Sequence, residues 1–500
     1  MRKEYDIVII GSGVGGGTAA EYFSHYIRRG LSVLLLESGP YRKRNHFNQL
    51  ERDMTSIYYN RGGVFSKNLH IGLAAANTVG GGSAVYTGVS FRPPASVLQK
   101  WRNDYGMDFL TDDFMNHELD YIEHQINIAE LPESWDNDNN RLFKEGAEKL
   151  GIPVKRLRIN VKNCGQQGFC NLGCTKGAKQ GTLEVQIPFS LEAGVELIYN
   201  AKVEKLEENS VYFHVSPAPC NSLPNEVTCG EHNVKAKIIV LAAGVLHTPV
   251  LLHRSAASLK IKTKNIGRYV TLHPAFNVNG IYKNRISNFT GFPKTMYIDE
   301  FSDSHDFYLE TSFYLPGVTA KNQPYFGVSH QNIMKEYSKM MSILILSHDK
   351  AESHNRIRTD KYAFPVLDYT VSSETRKALV SGLRKSAEIF FAAGCSHAFF
   401  PACSKQPLFA KDLPYLDNYI NEHTLKFEKT PLSSAHPQGG ARMGAEPAFS
   451  VTDLNGKVIG TKSVYIVDAS LFPTSVKVNP YETIMLLSRH VSDHIIKTLN

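Results

Sequence analysis

A two-domain α/β fold, α+β over the whole chain, is what this sequence predicts, and three observations carry it. A four-residue apolar core strand near the N-terminus runs straight into a glycine turn and a helix. Two more apolar strands, at Ile238–Leu241 and Val464–Val467, end in small residues much further along the chain. The 500 residues also exceed the roughly 250–300 at which a single core stops growing.

The elements follow in order. Tyr5-Asp6-Ile7-Val8-Ile9-Ile10 reads as a buried parallel strand, followed by Gly11-Ser12-Gly13-Val14-Gly15-Gly16 and a helix to about Arg29. Gly11 permits the tight turn, Gly13 lets backbone approach a pyrophosphate, and Gly16 lets helix and strand pack closely, with the anion at the helix N-terminus. Leu31 to Leu36 forms a second strand ending in Glu37, whose carboxylate suits the two ribose hydroxyls of an adenosine. Strand, turn, helix and terminal acid together predict a Rossmann-like dinucleotide-binding domain. A second glycine cluster, Gly80-Gly81-Gly82-Ser83, favours FAD over NAD, because a flavin ring lies far from its adenine and needs bare backbone beside it. The strand Ile238–Leu241 with Ala242-Ala243-Gly244 returns the chain to the nucleotide sheet, as does Val464 to Ser470. The C-terminal part also carries Ser434-Ala435-His436-Pro437-Gln438-Gly439-Gly440 and, opening the last helix, Val478-Asn479-Pro480.

With these motifs in this order, the chain resembles the glucose-methanol-choline (GMC) oxidoreductases over nearly its whole length. The resemblance implies a discontinuous FAD-binding domain (1–95, 180–270, 433–500) and a substrate domain on an antiparallel sheet (96–179, 271–432). It implies FAD contacts from Gly11, Ser12, Gly13, Gly16, Glu37, Gly81, Gly82, Ser83, Asp468, Asn479 and Pro480, and an adenine contact from the Val203 backbone. Some members attach FAD through a histidine just before the second loop; Ala74 to Val79 contains none, so bound, non-covalent FAD is expected. Cholesterol oxidases share the His-Pro-x-Gly-Gly and Val-Asn-Pro segments but continue the second loop with more glycine, where this chain has Tyr86-Thr87.

Oxidising an alcohol requires a group that takes or polarises the hydroxyl proton while the carbinol hydrogen leaves. His436 suits the base, since an imidazole exchanges protons near neutrality. Asn479 can orient the hydroxyl without adding charge. Pro480 is favoured in a first helical turn, which would aim the positive end of the last helix at the flavin. Most of the 19 histidines are surface or structural, and His273 in Leu272-His273-Pro274 reads as structural, near the cavity.

Cys164, Cys170 and Cys174 stand six and four residues apart on a glycine-rich loop similar to that of long-chain alcohol oxidases. Its spacing also matches a loop holding an iron–sulfur cluster in bacterial FAD-dependent glucose dehydrogenases. Three readings stand side by side: cluster ligands, buried small hydrophobes, or a disulfide plus one thiol. From Thr271 to Lys429 aromatic and methionine residues abound, among them Phe307-Tyr308-Leu309, Met340-Met341 and Phe390-Phe391. Such residues usually build core, with some lining a cavity. Together with these residues, the cysteine loop's resemblance to that of long-chain alcohol oxidases implies a long-chain or sterol-like alcohol as substrate, with O2 or a quinone or cytochrome partner as acceptor. The alternatives are a flavin lyase of the same fold and a dehydrogenase subunit that passes electrons through an iron–sulfur cluster to a quinone or cytochrome partner.

The net charge of +7 comes from short runs such as Arg42-Lys43-Arg44, read as solvated surface. No nucleic-acid motif accompanies them, so no nucleic acid is expected and membrane contact is at most peripheral. No apolar run reaches the roughly 20 residues of a membrane span. The N-terminus lacks a secretory h-region, so a cytoplasmic location is expected.

Overall fold

The computed structural model describes residues 1–286, 288–429 and 432–499. Among them, seven strands form the first sheet, in the order Ala201–Glu207, Ser210–Val215, Gly230–Leu241, Glu4–Ile10, Val33–Leu36 and Glu196–Ile198, with Val464–Ile466 beside Gly230–Leu241. The central strands are parallel: Ile10 pairs with both Leu36 and Leu241, and Leu241 with Ile466. Ile7–Ile10, Val33–Leu36 and Ile238–Leu241 are buried throughout, as unbroken apolar runs must be in a sheet covered on both faces. Their carboxyl ends share one edge, where open α/β sheets bind ligands.

The turn at that edge needs its glycine. Gly11 has φ +101°, and a Cβ there would stand 2.3 Å from the Ala242 carbonyl oxygen. The helix that follows ends at Ser24, with a single 3-10 turn at Ile27–Arg29. It packs on the last helix, Tyr481–Leu499, where Ser488 Oγ donates to the Gly15 carbonyl at 2.8 Å.

The second sheet is antiparallel except for one parallel pair. Its order is Val64–Phe65, Ile71–Leu73, Leu432–Ser434, Ala275–Ile281, Met340–Ser347, Phe307–Thr311, Met296–Ile298 and Lys155–Arg156, and Leu432–Ser434 runs parallel to Ile71–Leu73. Strand alternation gives it two different faces. Phe276, Val278, Phe307, Leu309, Met341, Ile343 and Ile345 pack against Leu383 and Phe390 of the helix Ser373–Ala392. Phe307, Met341 and Phe390 are thus core and do not line a cavity. The opposite face carries Ala275, Asn277 and Asn279, then Ser342, Leu344 and Leu346, then Tyr308 and Glu310, in cross-strand rows such as Asn277–Leu344–Glu310.

The two sheets meet where residues 267–273 run beside 436–440. Thr271 and Gln438 exchange both backbone hydrogen bonds at 2.9 Å, and Gly267 N–H donates to the Gly440 carbonyl at 2.6 Å.

Candidate active site

At the nucleotide edge, Glu37 is buried and engaged. Its Oε2 accepts from Ser12 N and Oγ at 2.9 and 2.7 Å, and its Oε1 from Gly39 N at 2.7 Å. Burial pushes its carboxyl pKa up while these hydrogen bonds pull it down. Ser12 Oγ also accepts from Gly80 N at 3.1 Å, which joins the two glycine loops. Gly81 (φ +53°) then faces Gly13 so closely that a Cβ on it would lie 2.6 Å from the Gly13 Cα. A Cβ on Gly13 would meet only Gly81, at 3.9 Å, and one on Gly82 nothing within 4 Å. Ser83 Oγ donates to the Gly80 carbonyl at 2.7 Å and holds the loop's shape. Gly16 packs against the Gly11 carbonyl.

Val203 is half-buried at a register break between Val203 and Lys205, two residues beyond Ala201, whose N–H donates to the Glu37 carbonyl at 2.8 Å. Asp468 spends its carboxylate on the fold. Oδ2 accepts from Gly244 N and Thr248 Oγ1 at 2.9 and 2.6 Å, and Oδ1 from Ser470 N at 2.8 Å. Arg42 corrects the surface reading of its basic run, because it is only 2% exposed. Among the described residues its Nε and Nη1 have no hydrogen-bond partner, its Nη2 reaches Ser56 and Asn221 only at 3.4 and 3.5 Å, and burial lowers its pKa.

At the seam, His436 Nδ1 lies 3.3 Å from His273 Nδ1, with the rings perpendicular. His273 is buried at φ +49°, a strained position for a non-glycine residue, and Asp349 clamps it by accepting from the N–H groups of Leu272 and His273 at 2.8 and 3.1 Å. Around His273 Nε2 stand Ser475 Oγ at 2.6 Å and Gln438 Nε2 at 3.2 Å. Gln438 Oε1 accepts from Val476 N at 2.8 Å, so its amide nitrogen must be what points at His273. That arrangement favours the His273 proton on Nδ1, given to His436 Nδ1, and the His436 proton on Nε2. The 2.6 Å contact to Ser475 serves the alternative, in which His273 Nε2 donates to Ser475 and His436 Nε2 is bare. Among the described residues nothing hydrogen-bonds His436 Nε2. Burial, then His273, then Lys294 hold the His436 pKa well below its usual value, and burial takes His273 down to about 3. Both rings are neutral at physiological pH.

Asn479 precedes the last helix, whose first turn closes with Ile484 N–H donating to the Pro480 carbonyl at 2.9 Å. Its Oδ1 accepts from Tyr308 Oη at 2.6 Å, so the amide NH2 is what it offers to the site. Tyr308, His348 and His273 continue in ring contact toward His436. The same sheet face adds Glu310, paired to Lys294 Nζ at 2.6 Å, and Asn277, buried with neither side-chain polar atom bonded among the described residues. Sequence reasoning passed over Glu310, Lys294, Asn277 and His348. The visible signal was polar residues at alternate positions of otherwise apolar strands.

Glu482 adds a titratable group to the first turn of the last helix. It is fully buried, and among the described residues neither carboxylate oxygen has a hydrogen-bond partner of good geometry, while Glu123 is near enough to act on its charge. Burial, then the charge of Glu123, pushes its pKa from 4.5 up to about 8. The folded protein therefore holds a proton that unfolding releases. Its stabilising contribution is complete below 4.5 and is lost as pH rises through about 8, at a slope of about 1.4 kcal/mol per pH unit. Glu482→Gln is expected to raise the melting temperature more at pH 9 than at pH 5, as calorimetry can measure. Equal shifts at both pH values would mean that Glu482 is not held protonated.

The cysteine loop needs a correction. Cys164, Cys170 and Cys174 do line one small cavity with Lys176 and Phe292. Among the described residues, however, no group of three or more His, Cys, Asp or Glu is arranged to hold a metal ion, and the cysteines are unpaired. Neither the iron–sulfur cluster nor the disulfide is supported. Burial pushes the Cys170 thiol up to about 12, opposite to what a thiolate ligand needs. The loop's buried cation, Lys179, is spent on the carbonyls of Ala84, Cys170 and Tyr86 at 2.7, 2.7 and 3.1 Å, which straps the cysteine loop to the second glycine loop.

Sequence profiles of the GMC oxidoreductase family match residues 54–275 with the N-terminal part and 351–488 with the C-terminal part. The chain belongs to the GMC oxidoreductase family. It is an enzyme, an FAD-dependent oxidoreductase. This GMC oxidoreductase is 26% identical to Long-chain-alcohol oxidase FAO4A of Arabidopsis thaliana, over 100% of the chain and 69% of that protein. It is 28% identical to FAO3 of the same plant over the same shares. A cholesterol oxidase of Acinetobacter baumannii is 21% identical over 98% of this chain and 94% of its own. Among solved structures, pyridoxine 4-oxidase from Mesorbium loti superposes with a TM-score of 0.71 at 17% identity, covering 98% and 99% of the two chains. A formate oxidase variant from Aspergillus oryzae gives 0.74 at 14% identity, covering 99% and 98%. These structures share the fold. The bare faces of Gly13 and Gly82 and the buried Nε and Nη1 of Arg42, unpartnered among the described residues, fit a bound FAD in this GMC oxidoreductase.

Proposed function

We propose that this enzyme oxidises the CH–OH group of a long-chain or sterol-like alcohol, with O2 as acceptor. The observation that carries the reading is the seam. There a neutral His436 with an unbonded Nε2 and the NH2 of Asn479 lie under a sheet face where Leu344 and Leu346 stand beside Asn277 and Glu310. The substrate class takes its support from the long-chain-alcohol and cholesterol oxidases among the relatives and from those leucines.

Gly13, Gly81 and Gly82 would admit the pyrophosphate of a non-covalently bound FAD, with Gly11, Ser12, Gly16 and Ser83 holding the two loops in place. Glu37 would meet the ribose, the Val203 backbone the adenine, and Pro480 with the helix start the ring. Asp468 acts by anchoring Gly244 and Ser470. FAD, when bound, supplies the acceptor for the carbinol hydrogen. His436 holds the alcohol oxygen, as Nε2–H donor in the arrangement Gln438 favours. It accepts the hydroxyl proton when the shared proton sits on its own Nδ1 and His273 donates to Ser475. Asn479 NH2 steadies the same oxygen as negative charge develops.

Anaerobic titration with long-chain alcohols, sterols and sugars, followed at the flavin band near roughly 450 nm, tests the reading. Bleaching by a long-chain alcohol or sterol, reversed by air, is the expected result. Bleaching by sugars alone overturns the substrate class. Reoxidation only by a quinone or cytochrome overturns the acceptor, and a flavin that nothing bleaches turns the assignment to a lyase of the same fold.

A further inference from the structure

Residues 312–335 contain no Asp or Glu, but do contain Lys321, His330 and Lys335. Here the helices Pro316–Asn322 and Gly327–Lys335 form a hairpin. Its base is firmly held. Glu51 accepts from Gly317 N and Val318 N at 2.7 and 3.1 Å, and His330 Nε2 meets the Ala320 carbonyl at 2.8 Å. Ile333 packs on Ile281 and Met340. Ile281 shares its strand face with Asn277, so the hairpin sits on the same sheet face as the candidate site.

The tip is built the opposite way. Tyr325, at φ +71°, turns the chain so that Phe326 is 92% exposed and Val328 72% exposed, with Val318 also outside. Single exposed apolar residues are ordinary, but an apolar tip on a braced hairpin is not. Lys321 lies 5.1 Å over the ring of Phe65. The turn after Phe65 carries Lys67 and Leu69, the latter 62% exposed. Of the acids on adjoining segments, Glu51 is committed to its backbone bonds and Glu336 is paired with Lys339 at 2.8 Å.

We propose that this hairpin docks the enzyme on an anionic lipid bilayer, with Phe326 and Val328 entering the boundary between headgroups and acyl chains while Lys321, Lys335 and Lys67 meet the headgroups. Exposed apolar side chains on a hairpin whose own charged residues, Lys321 and Lys335, are both cationic complement such a surface. The docking rests on this surface alone; that it collects an alcohol from the lipid rests on the proposed function.

The test is co-sedimentation of the FAD-loaded enzyme with phosphatidylcholine vesicles, with and without phosphatidylserine. Wild type is expected to sediment with the mixed vesicles, and Phe326→Asp with Val328→Ser to weaken binding about tenfold or more. Lys335→Glu is expected to weaken the phosphatidylserine dependence. Turnover of detergent-dispersed alcohol stays at the wild-type rate in both variants. Equal binding of wild type and the Phe326 variant overturns the proposal, as does no binding. So does self-association without vesicles that the variant abolishes, since the tip would then be a contact between copies. Docking without flavin bleaching by any alcohol would remove the substrate reading and leave the docking standing; bleaching in detergent without vesicle binding would do the reverse.

Discussion

Replacing His436 with alanine is expected to leave FAD bound and to slow anaerobic flavin reduction by about 10²–10⁴-fold, the usual worth of a positioned acid–base group. The variant removes the side chain nearest the alcohol oxygen in the proposed site, while the nucleotide contacts lie on the other glycine-bearing segments. Stopped-flow reduction at saturating alcohol measures the effect, and the flavin spectrum of the purified variant verifies loading. A rate within a few-fold of wild type would take His436 out of the reaction. The wild-type pH profile offers an independent readout. An ordinary histidine base would give an acid limb near its usual pKa of 6.5, but burial, His273 and Lys294 hold His436 well below that value. Reduction is therefore expected to stay level from pH 8 to pH 6. The same depression has a sign for stability. Neutral buried histidines contribute fully above 6.5, and that contribution is lost as pH falls toward the folded value, about 3 for His273.

The nucleotide half was legible because its signals are local. Ile7 to Ile10, the turn at Gly11 to Gly16 and Glu37 lie within one stretch, and each residue type has one physical reason to be there. The last helix was legible for the same reason, through Pro480. The polar constellation was not, because it is assembled across the seam. His273 and His436 are 163 residues apart and Tyr308 and Asn479 171 apart; the first pair meets because residues 267–273 run beside 436–440, through bonds such as those between Thr271 and Gln438. Glu310 and Asn277 were hidden by their setting, since a strand such as Phe307–Thr311 with apolar neighbours reads as core until its partner face is known. Composition misled at Arg42, where a basic run implies solvent although one of its members is buried. Spacing misled at the cysteines: three thiols on a short loop satisfy a ligand pattern, but whether their sulfurs converge depends on how Lys179 straps the loop down.

Gly13→Val is expected to abolish FAD binding while leaving the apoprotein folded, and the two effects separate because the surroundings of Gly13 are so unequal. Its backbone, at φ −65° and ψ −166°, is extended and open to any side chain. Space is also available in the apoprotein, since the nearest atom to a new Cβ would be the Gly81 Cα at 3.9 Å. The fold therefore loses only the helix-capping preference of glycine over valine, about 1 kcal/mol. The volume the new side chain fills is the space between the two glycine loops, where backbone must approach a pyrophosphate without intervening atoms. Gly11→Ala is the contrasting control. Its Cβ would collide with the Ala242 carbonyl at 2.3 Å from a left-handed conformation, so it should cost the fold itself. Flavin absorbance per protein and the melting temperature of the apoprotein read the two effects separately. If Gly13→Val retains stoichiometric FAD, the pyrophosphate does not pass over Gly13, and the open space beside it is no part of the cradle. If both substitutions unfold the chain, the cradle and the fold are one feature, and the spare room beside Gly13 is smaller than the backbone implies.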